Sequence, residues 1–103
     1  MYKLVLYVPE NGLEDVKSAV FKAGAGCLGH YDSCSWQVFG EGQFRPLAGS
    51  TPHLGTEGEL ETVPEWRLEV LVGEDVLAEV VAAMKAAHTY EEPAYEVYQC
   101  IDV

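Results

Sequence analysis

The three histidines of this chain, together with one nearby acid, are the residues best suited to bind a metal ion. The candidate ligands come from three separate stretches of the sequence: His30, His53, His88 and Glu91. His88 and Glu91 are three positions apart, so a continued helix or a turn could bring the imidazole and the carboxylate together. Such ligands suit a borderline divalent ion such as zinc or copper. His88 also has a simpler interpretation, as a residue that bonds to free carbonyls at the end of a helix.

Two other kinds of site have weaker support. Cys34 could pair with His30 or His88 as a thiol nucleophile, but no local signature fixes their geometry. The glycine-rich loop at 49–58 contains hydroxyl groups, but it lacks the Gly-Lys-Ser/Thr ending of a phosphate-binding loop. The sequence therefore favours neither a thiol enzyme nor a nucleotide-binding loop.

The charge of the chain excludes whole classes of partner. Six lysines and arginines stand against seventeen aspartates and glutamates, for a formal net charge of -11 over 103 residues. Phosphate backbones and anionic membrane surfaces would repel such a protein, so we expect neither nucleic acid nor membrane partners. The three cysteines are widely spaced, and no apolar run is long enough for a signal peptide or a membrane span. These features predict a reducing, cytoplasmic location.

Hydrophobic periodicity predicts two strand–helix–strand units of similar design. The predicted elements, in chain order, are a strand at 2–8, a helix at 13–23, a hairpin of strands 35–39 and 43–47 around Gly40-Glu41-Gly42, a long loop at 48–63, a strand at 66–72, a helix at 76–87 and a strand at 95–103. This order predicts an α+β, ferredoxin-like βαββαβ sheet with both helices on one face, plus the extra β-hairpin.

The other face of the predicted sheet is also partly apolar. The residues that alternate away from the helices include Val5, Tyr7, Leu71 and Tyr98. A second apolar face on so small a domain indicates burial against another chain, so we expect a homo-oligomer.

The segment from His88 to Tyr98 carries a family resemblance. It reads His-Thr-Tyr-Glu-Glu-Pro-Ala-Tyr-Glu-Val-Tyr and resembles the H-P-Y-E-E-P-A-Y-x-V-Y signature of the NGG-interacting-factor-three-like (YqfO-like) family, sometimes labelled GTP cyclohydrolase type 2-like. Thr89 replaces the usual proline. Further elements resemble the family's G-A-G, Y-x-x-C, G-x-G-x-F and glycine-loop motifs in the same order: Gly24-Ala25-Gly26, the stretch 31–34, the stretch 40–44 and the loop 49–58.

The resemblance covers nearly the whole chain, but only the smaller domain that longer members carry inserted between two core halves. That domain is similar to CutA and PII proteins, which are ferredoxin-like and trimeric. The resemblance therefore implies a single, stand-alone CutA/PII-like domain over 1–103 that forms a trimer. The family's metal-binding core domains have no counterpart in these residues, so its hydrolase labels do not transfer.

Three functional hypotheses follow. The first is a non-enzymatic oligomeric module, regulatory or binding a small ligand of unknown identity at subunit clefts. The second is a protein that binds a divalent metal ion through His30, His53, His88 and Glu91. The third is an enzyme in which His88, Tyr90 and Glu91 act as acid–base groups in a pocket between subunits.

Overall fold

Strands with alternating apolar residues form a four-stranded sheet, and two amphipathic helices cover one of its faces. The computed structural model describes residues 1–103. Its elements are β1 (Tyr2–Pro9), α1 (Leu13–Lys22), β2 (Trp36–Phe44), β3 (Glu61–Val72), α2 (Leu77–Ala87) and β4 (Tyr95–Gln99). The strand order is β2-β3-β1-β4, and all neighbours are antiparallel. The predicted α+β, ferredoxin-like fold is therefore confirmed.

The core lies between the sheet and the helices. Leu4, Leu6 and Val8 of β1 alternate inward, as do matching residues of β3, and all three are fully buried. The helices contribute Val16, Val20, Val80 and Met84, each with no exposed surface. Neither helix is long and apolar enough to cross a lipid bilayer.

The predicted hairpin around Gly40-Glu41-Gly42 is wrong. These residues continue β2 without a turn, and Gly40 and Gly42 pair with Glu65 and Val63 of β3. Neither glycine has a positive φ, so neither is used for a turn. Glycine in a strand interior often marks a close approach by another group, and here the side chain of Glu65 lies against Gly42. The true hairpin joins β2 to β3 through the loop at 45–60.

The first part of β3 extends past the end of β1. The pairing of β1 with β3 stops at Pro9 and Glu65, whereas β2 pairs with β3 as far as Glu61. Residues 41–44 of β2 and 61–64 of β3 therefore form a two-stranded projection, which we call the arm. With this arm the molecule measures 46 Å along its longest axis against 25 and 24 Å across.

The sheet face opposite the helices, which we call the open face, combines apolar and charged side chains. Val5 is buried there, but Trp36 is 60% exposed and Tyr98 is 51% exposed. Between them, Glu69 bonds to Lys3 and to Arg67, both at 3.2 Å. The observed strand register places four residues on this open face, as predicted: Val5, Tyr7, Leu71 and Tyr98.

Candidate ligand-binding cleft

A cleft of about 830 Å³ lies at the base of the arm. One wall is the end of β2 with the loop that follows it, and the other wall is the segment 90–94 between α2 and β4. Tyr7 of β1 and Glu65 of β3 also line the cleft. The antiparallel order of the sheet brings these segments together, because the end of β1, the end of β2, the start of β3 and the end of α2 all lie at one end of the molecule.

Glu65 and Tyr90 form the polar centre of this cleft. The Tyr90 hydroxyl donates a hydrogen bond to Glu65 Oε2 at 3.4 Å. The Tyr90 ring also packs near Phe44, with 6.2 Å between ring centroids. The Glu65 carboxylate occupies the space over Gly42 that any side chain at that position would fill. The strand pairing thus holds the carboxylate and the phenol together against aromatic surface.

Burial shifts the titration of both groups. Burial raises the pKa of Glu65 above its usual value of 4.5, and the hydrogen bond from Tyr90 opposes this shift. Burial and the nearby charge of Glu65 raise the pKa of Tyr90 to about 12. Tyr90 therefore remains protonated at neutral pH and acts as a hydrogen-bond donor.

His88 holds the Tyr90 segment in place from behind. It is the C-terminal cap of α2 and is only 8% exposed. Its Nε2–H donates to the carbonyl oxygen of Tyr7 at 2.7 Å, and its Nδ1 accepts from the backbone N–H of Tyr90 at 3.0 Å. Acceptance at Nδ1 requires the neutral ring, and burial lowers the pKa of His88, although the bond to the Tyr7 carbonyl opposes this shift. With both nitrogens occupied, His88 has no lone pair left for a metal ion.

The four predicted metal ligands lie in different surroundings. His30 is exposed in the turn closed by the Leu28–Tyr31 bridge. His53 and Glu91 both line the cleft, whereas His88 lies behind it. No group of three or more His, Cys, Asp or Glu side chains is placed to hold a metal ion. Metal binding by His30, His53, His88 and Glu91 stays a prediction that no contact in the structure supports.

Glu91 instead anchors the long loop. Its Oε1 accepts a hydrogen bond from the backbone N–H of Thr51 at 2.8 Å, which links residues 40 positions apart. The other hydrogen bonds of the loop, such as Gly58 N to Pro46 O at 2.7 Å, are internal. This single outward bond fixes the loop over the cleft and explains the position of the Glu91 carboxylate.

Sequence patterns pointed to Tyr90 and Glu91 but missed Glu65, Gly42 and Tyr7. Glycine between two predicted strands favours a turn, which is how the sequence pattern places Gly42, and Glu65 lies just before the predicted strand at 66–72 without any pattern that marks it. A glycine facing a carboxylate across two strands is a detectable signal only when the register is known.

We predict that Gly42→Ala displaces the Glu65 carboxylate into solvent. The added methyl group would overlap the end of a flexible side chain, so the chain should fold while the pKa of Glu65 returns toward 4.5. Carboxyl titration followed by ¹³C NMR measures this. Gly40→Ala is the matched control, because a methyl group there meets open space. A raised pKa of Glu65 that persists in Gly42→Ala would contradict the packing described here.

The chain is similar in sequence to part of longer bacterial proteins, although no family model matches it. A GTP cyclohydrolase 1 type 2 homolog of Mycobacterium tuberculosis is 48% identical over 99 residues, which is 96% of this chain but 26% of that protein. The chain thus spans about a quarter of the length of the curated relatives it matches.

Solved structures of related proteins agree with the sequence similarity. A Bacillus cereus protein related to NIF3 superposes with a TM-score of 0.81 at 39% identity, over 94% of this chain and 24% of that one. The periplasmic divalent cation tolerance protein CutA of Archaeoglobus fulgidus superposes with a TM-score of 0.70 at 18% identity, over 100% of this chain and 87% of that one. At that identity CutA shows the fold alone. The chain is therefore homologous to one domain-sized segment of the GTP cyclohydrolase 1 type 2 homologs, the YqfO-like family, and has the fold of CutA.

Proposed function

We propose that these residues form a non-enzymatic, CutA/PII-like domain that self-associates, with a trimer as the expected form, and binds a small molecule in the cleft at the base of the arm. The cleft itself carries the proposal: about 830 Å³ is enough for a small ligand, and its walls combine aromatic rings with a few convergent polar groups. The three free cysteines fit a cytoplasmic setting.

The chemistry of the cleft favours binding over catalysis. A general acid or base works best with a pKa near the operating pH. Tyr90, with a pKa of about 12, is far from neutrality. The two ring nitrogens of His88 are held by backbone groups of Tyr7 and Tyr90, so His88 cannot transfer a proton to a ligand. The acid–base hypothesis for His88, Tyr90 and Glu91 therefore loses two of its three groups.

The open face supports self-association. Trp36, Val38 and Tyr98 are 43–60% exposed on it, and apolar surface collected on one face is typical of a contact with another chain. The central Lys3–Glu69–Arg67 cluster gives the face a polar centre that a second copy would have to match. Strand β2 is also an edge strand, so its outer hydrogen-bonding groups are free to meet another chain.

We predict that a negative charge on the open face breaks the oligomer. Light scattering of the purified chain should give about three times its 11.3 kDa mass, and Trp36→Asp together with Tyr98→Asp should reduce it to the monomer mass. An aspartate buried in an interface costs several kcal/mol without a partner, which exceeds what a small contact can supply.

The double variant Ala82→Asp with Ala86→Asp is the matched control, since it adds the same two negative charges at exposed positions of α2. Its mass should equal that of the unmodified chain. A strict monomer at micromolar concentration before any substitution would overturn the self-association proposal. Ligand binding in the cleft is tested separately, by the titrations described next.

A further inference from the structure

We propose that Glu65 recognises a positively charged nitrogen, an ammonium or a guanidinium group, on the small organic molecule that occupies the cleft. This inference rests on the proposed function and names the chemical class of its ligand. The observation behind it is that the negative charge of Glu65 has no cationic partner in the isolated chain.

The Glu65 carboxylate has few partners within the chain. It forms no ion pair, because the ion pairs of the chain join Glu69 to Lys3 and Arg67 and join Glu14 to Lys17. Its one hydrogen bond, from the Tyr90 hydroxyl, is long at 3.4 Å. A carboxylate can accept about four hydrogen bonds, so most of its capacity is unused and faces the cleft.

The fold nevertheless holds this carboxylate in place. Only glycine at position 42 leaves room for it, and Tyr90 contacts it from the other wall. A half-buried carboxylate without a cation lowers the stability of the folded chain. A ligand that supplies the missing positive charge would remove that cost and gain charge-assisted hydrogen bonds.

The rest of the cleft also selects for a cation. The side chains that line it include four carboxylates, those of Glu41, Glu65, Glu91 and Glu92, against one guanidinium, that of Arg45. This balance repels anions such as phosphates and carboxylates. The rings of Phe44 and Tyr90, which lie 6.2 Å apart, offer aromatic faces that attract organic cations.

The test is a set of titrations with four small aliphatic probes. Agmatine carries two positive charges and butylamine carries one, whereas butanol is neutral and butyrate is negative. The ¹⁵N-labelled chain is titrated with each probe while the backbone amide signals of Gly42 and Tyr90 are followed by NMR. We expect saturable shifts with agmatine and butylamine at low millimolar concentration and none with butanol or butyrate.

Glu65→Gln is the decisive variant, since it keeps the shape of the side chain and removes its charge. We expect it to weaken agmatine binding about tenfold or more. Glu79→Gln is the matched control, because it removes the same charge from an exposed residue of α2 outside the cleft, and it should change affinity less than about threefold. Thermal unfolding of both variants confirms that they are folded, and Gly42→Ala, which displaces the carboxylate without changing its charge, should weaken binding as well.

The outcomes separate the two proposals. Saturable binding of butanol or butyrate in place of the amines would overturn the assignment of a cationic ligand and leave the cleft as a binding site. Equal affinity of agmatine for the unmodified chain and for Glu65→Gln would overturn the role of Glu65. If none of the four probes shifts the Gly42 and Tyr90 signals, both the cationic ligand and the cleft as a small-molecule site are contradicted.

Discussion

His88→Ala is expected to lower the free energy of unfolding by about 3 kcal/mol. The substitution removes two buried hydrogen bonds and leaves the Tyr7 carbonyl and the Tyr90 N–H without partners, and each unsatisfied buried group costs about 1–3 kcal/mol. The substitution also frees the backbone segment that holds Tyr90 at the cleft. Urea denaturation at a fixed protein concentration measures the loss, since self-association would otherwise shift the midpoint.

The other two histidines supply the controls. His30 and His53 are exposed, so His30→Ala and His53→Ala should change the free energy of unfolding by less than about 0.5 kcal/mol. Similar losses in all three variants would show that the two backbone bonds of His88 do not stabilise the fold.

The same residue makes stability depend on pH. The pKa of His88 is lowered from 6.5 in the folded chain, so the unfolded chain takes up a proton first as the pH falls. Stability is therefore full above pH 6.5 and declines as the pH drops from 6.5 toward the lowered pKa. His88→Gln, which has no group that titrates there, should lose this decline. An unchanged pH profile in His88→Gln would assign the decline to other groups.

Gly26→Ala is expected to destabilise the chain by about 3 kcal/mol or more. Gly26 has φ of +80°, and a Cβ atom there would lie 2.8 Å from the carbonyl oxygen of Cys34. Backbone cannot move aside as a flexible side chain can, because Cys34 N donates to Gly26 O at 2.9 Å and Gly26 N donates to Leu71 O at 2.8 Å. The strain and the overlap therefore add. Thermal and urea unfolding measure the change.

Gly29→Ala is the control that separates the steric overlap with Cys34 from the backbone strain. Gly29 also has a positive φ, +58°, but a Cβ atom there meets nothing within 4 Å. Only the backbone strain remains, about 1–2 kcal/mol. Equal losses at the two positions would show that contact with Cys34 does not matter. The contrast also explains the Gly24-Ala25-Gly26 motif, in which Ala25 is buried in the core and the last glycine must approach the chain closely.

The elements set by local periodicity could be predicted, whereas those set by register could not. Alternating apolar residues predicted β1, and apolar residues at helical spacing predicted α2. Each of these patterns repeats several times within its own element, so neighbouring residues are enough to identify it. Gly40 and Gly42 misled the prediction of a hairpin. Glycine is typical of turns and of close approaches alike, and only the opposing Glu65 distinguishes the two.

The sequence identified some residues of the candidate site but not the contacts that those residues make. His88 was expected either to bind a metal ion or to bond to carbonyls at a helix end. Its ring does bond to a carbonyl, but that carbonyl belongs to Tyr7, 81 positions away in β1. Glu91 was expected as a metal ligand or an acid–base group, and it anchors Thr51. Such pairs depend on tertiary contacts that no local spacing encodes.

The bond between Thr51 and Glu91 has a consequence for the effect of a ligand on stability. It joins the loop after β2 to the segment before β4, and these two segments form opposite walls of the cleft. The walls come together only in the folded chain. A ligand that contacts both walls would therefore bind the folded chain alone and raise its free energy of unfolding.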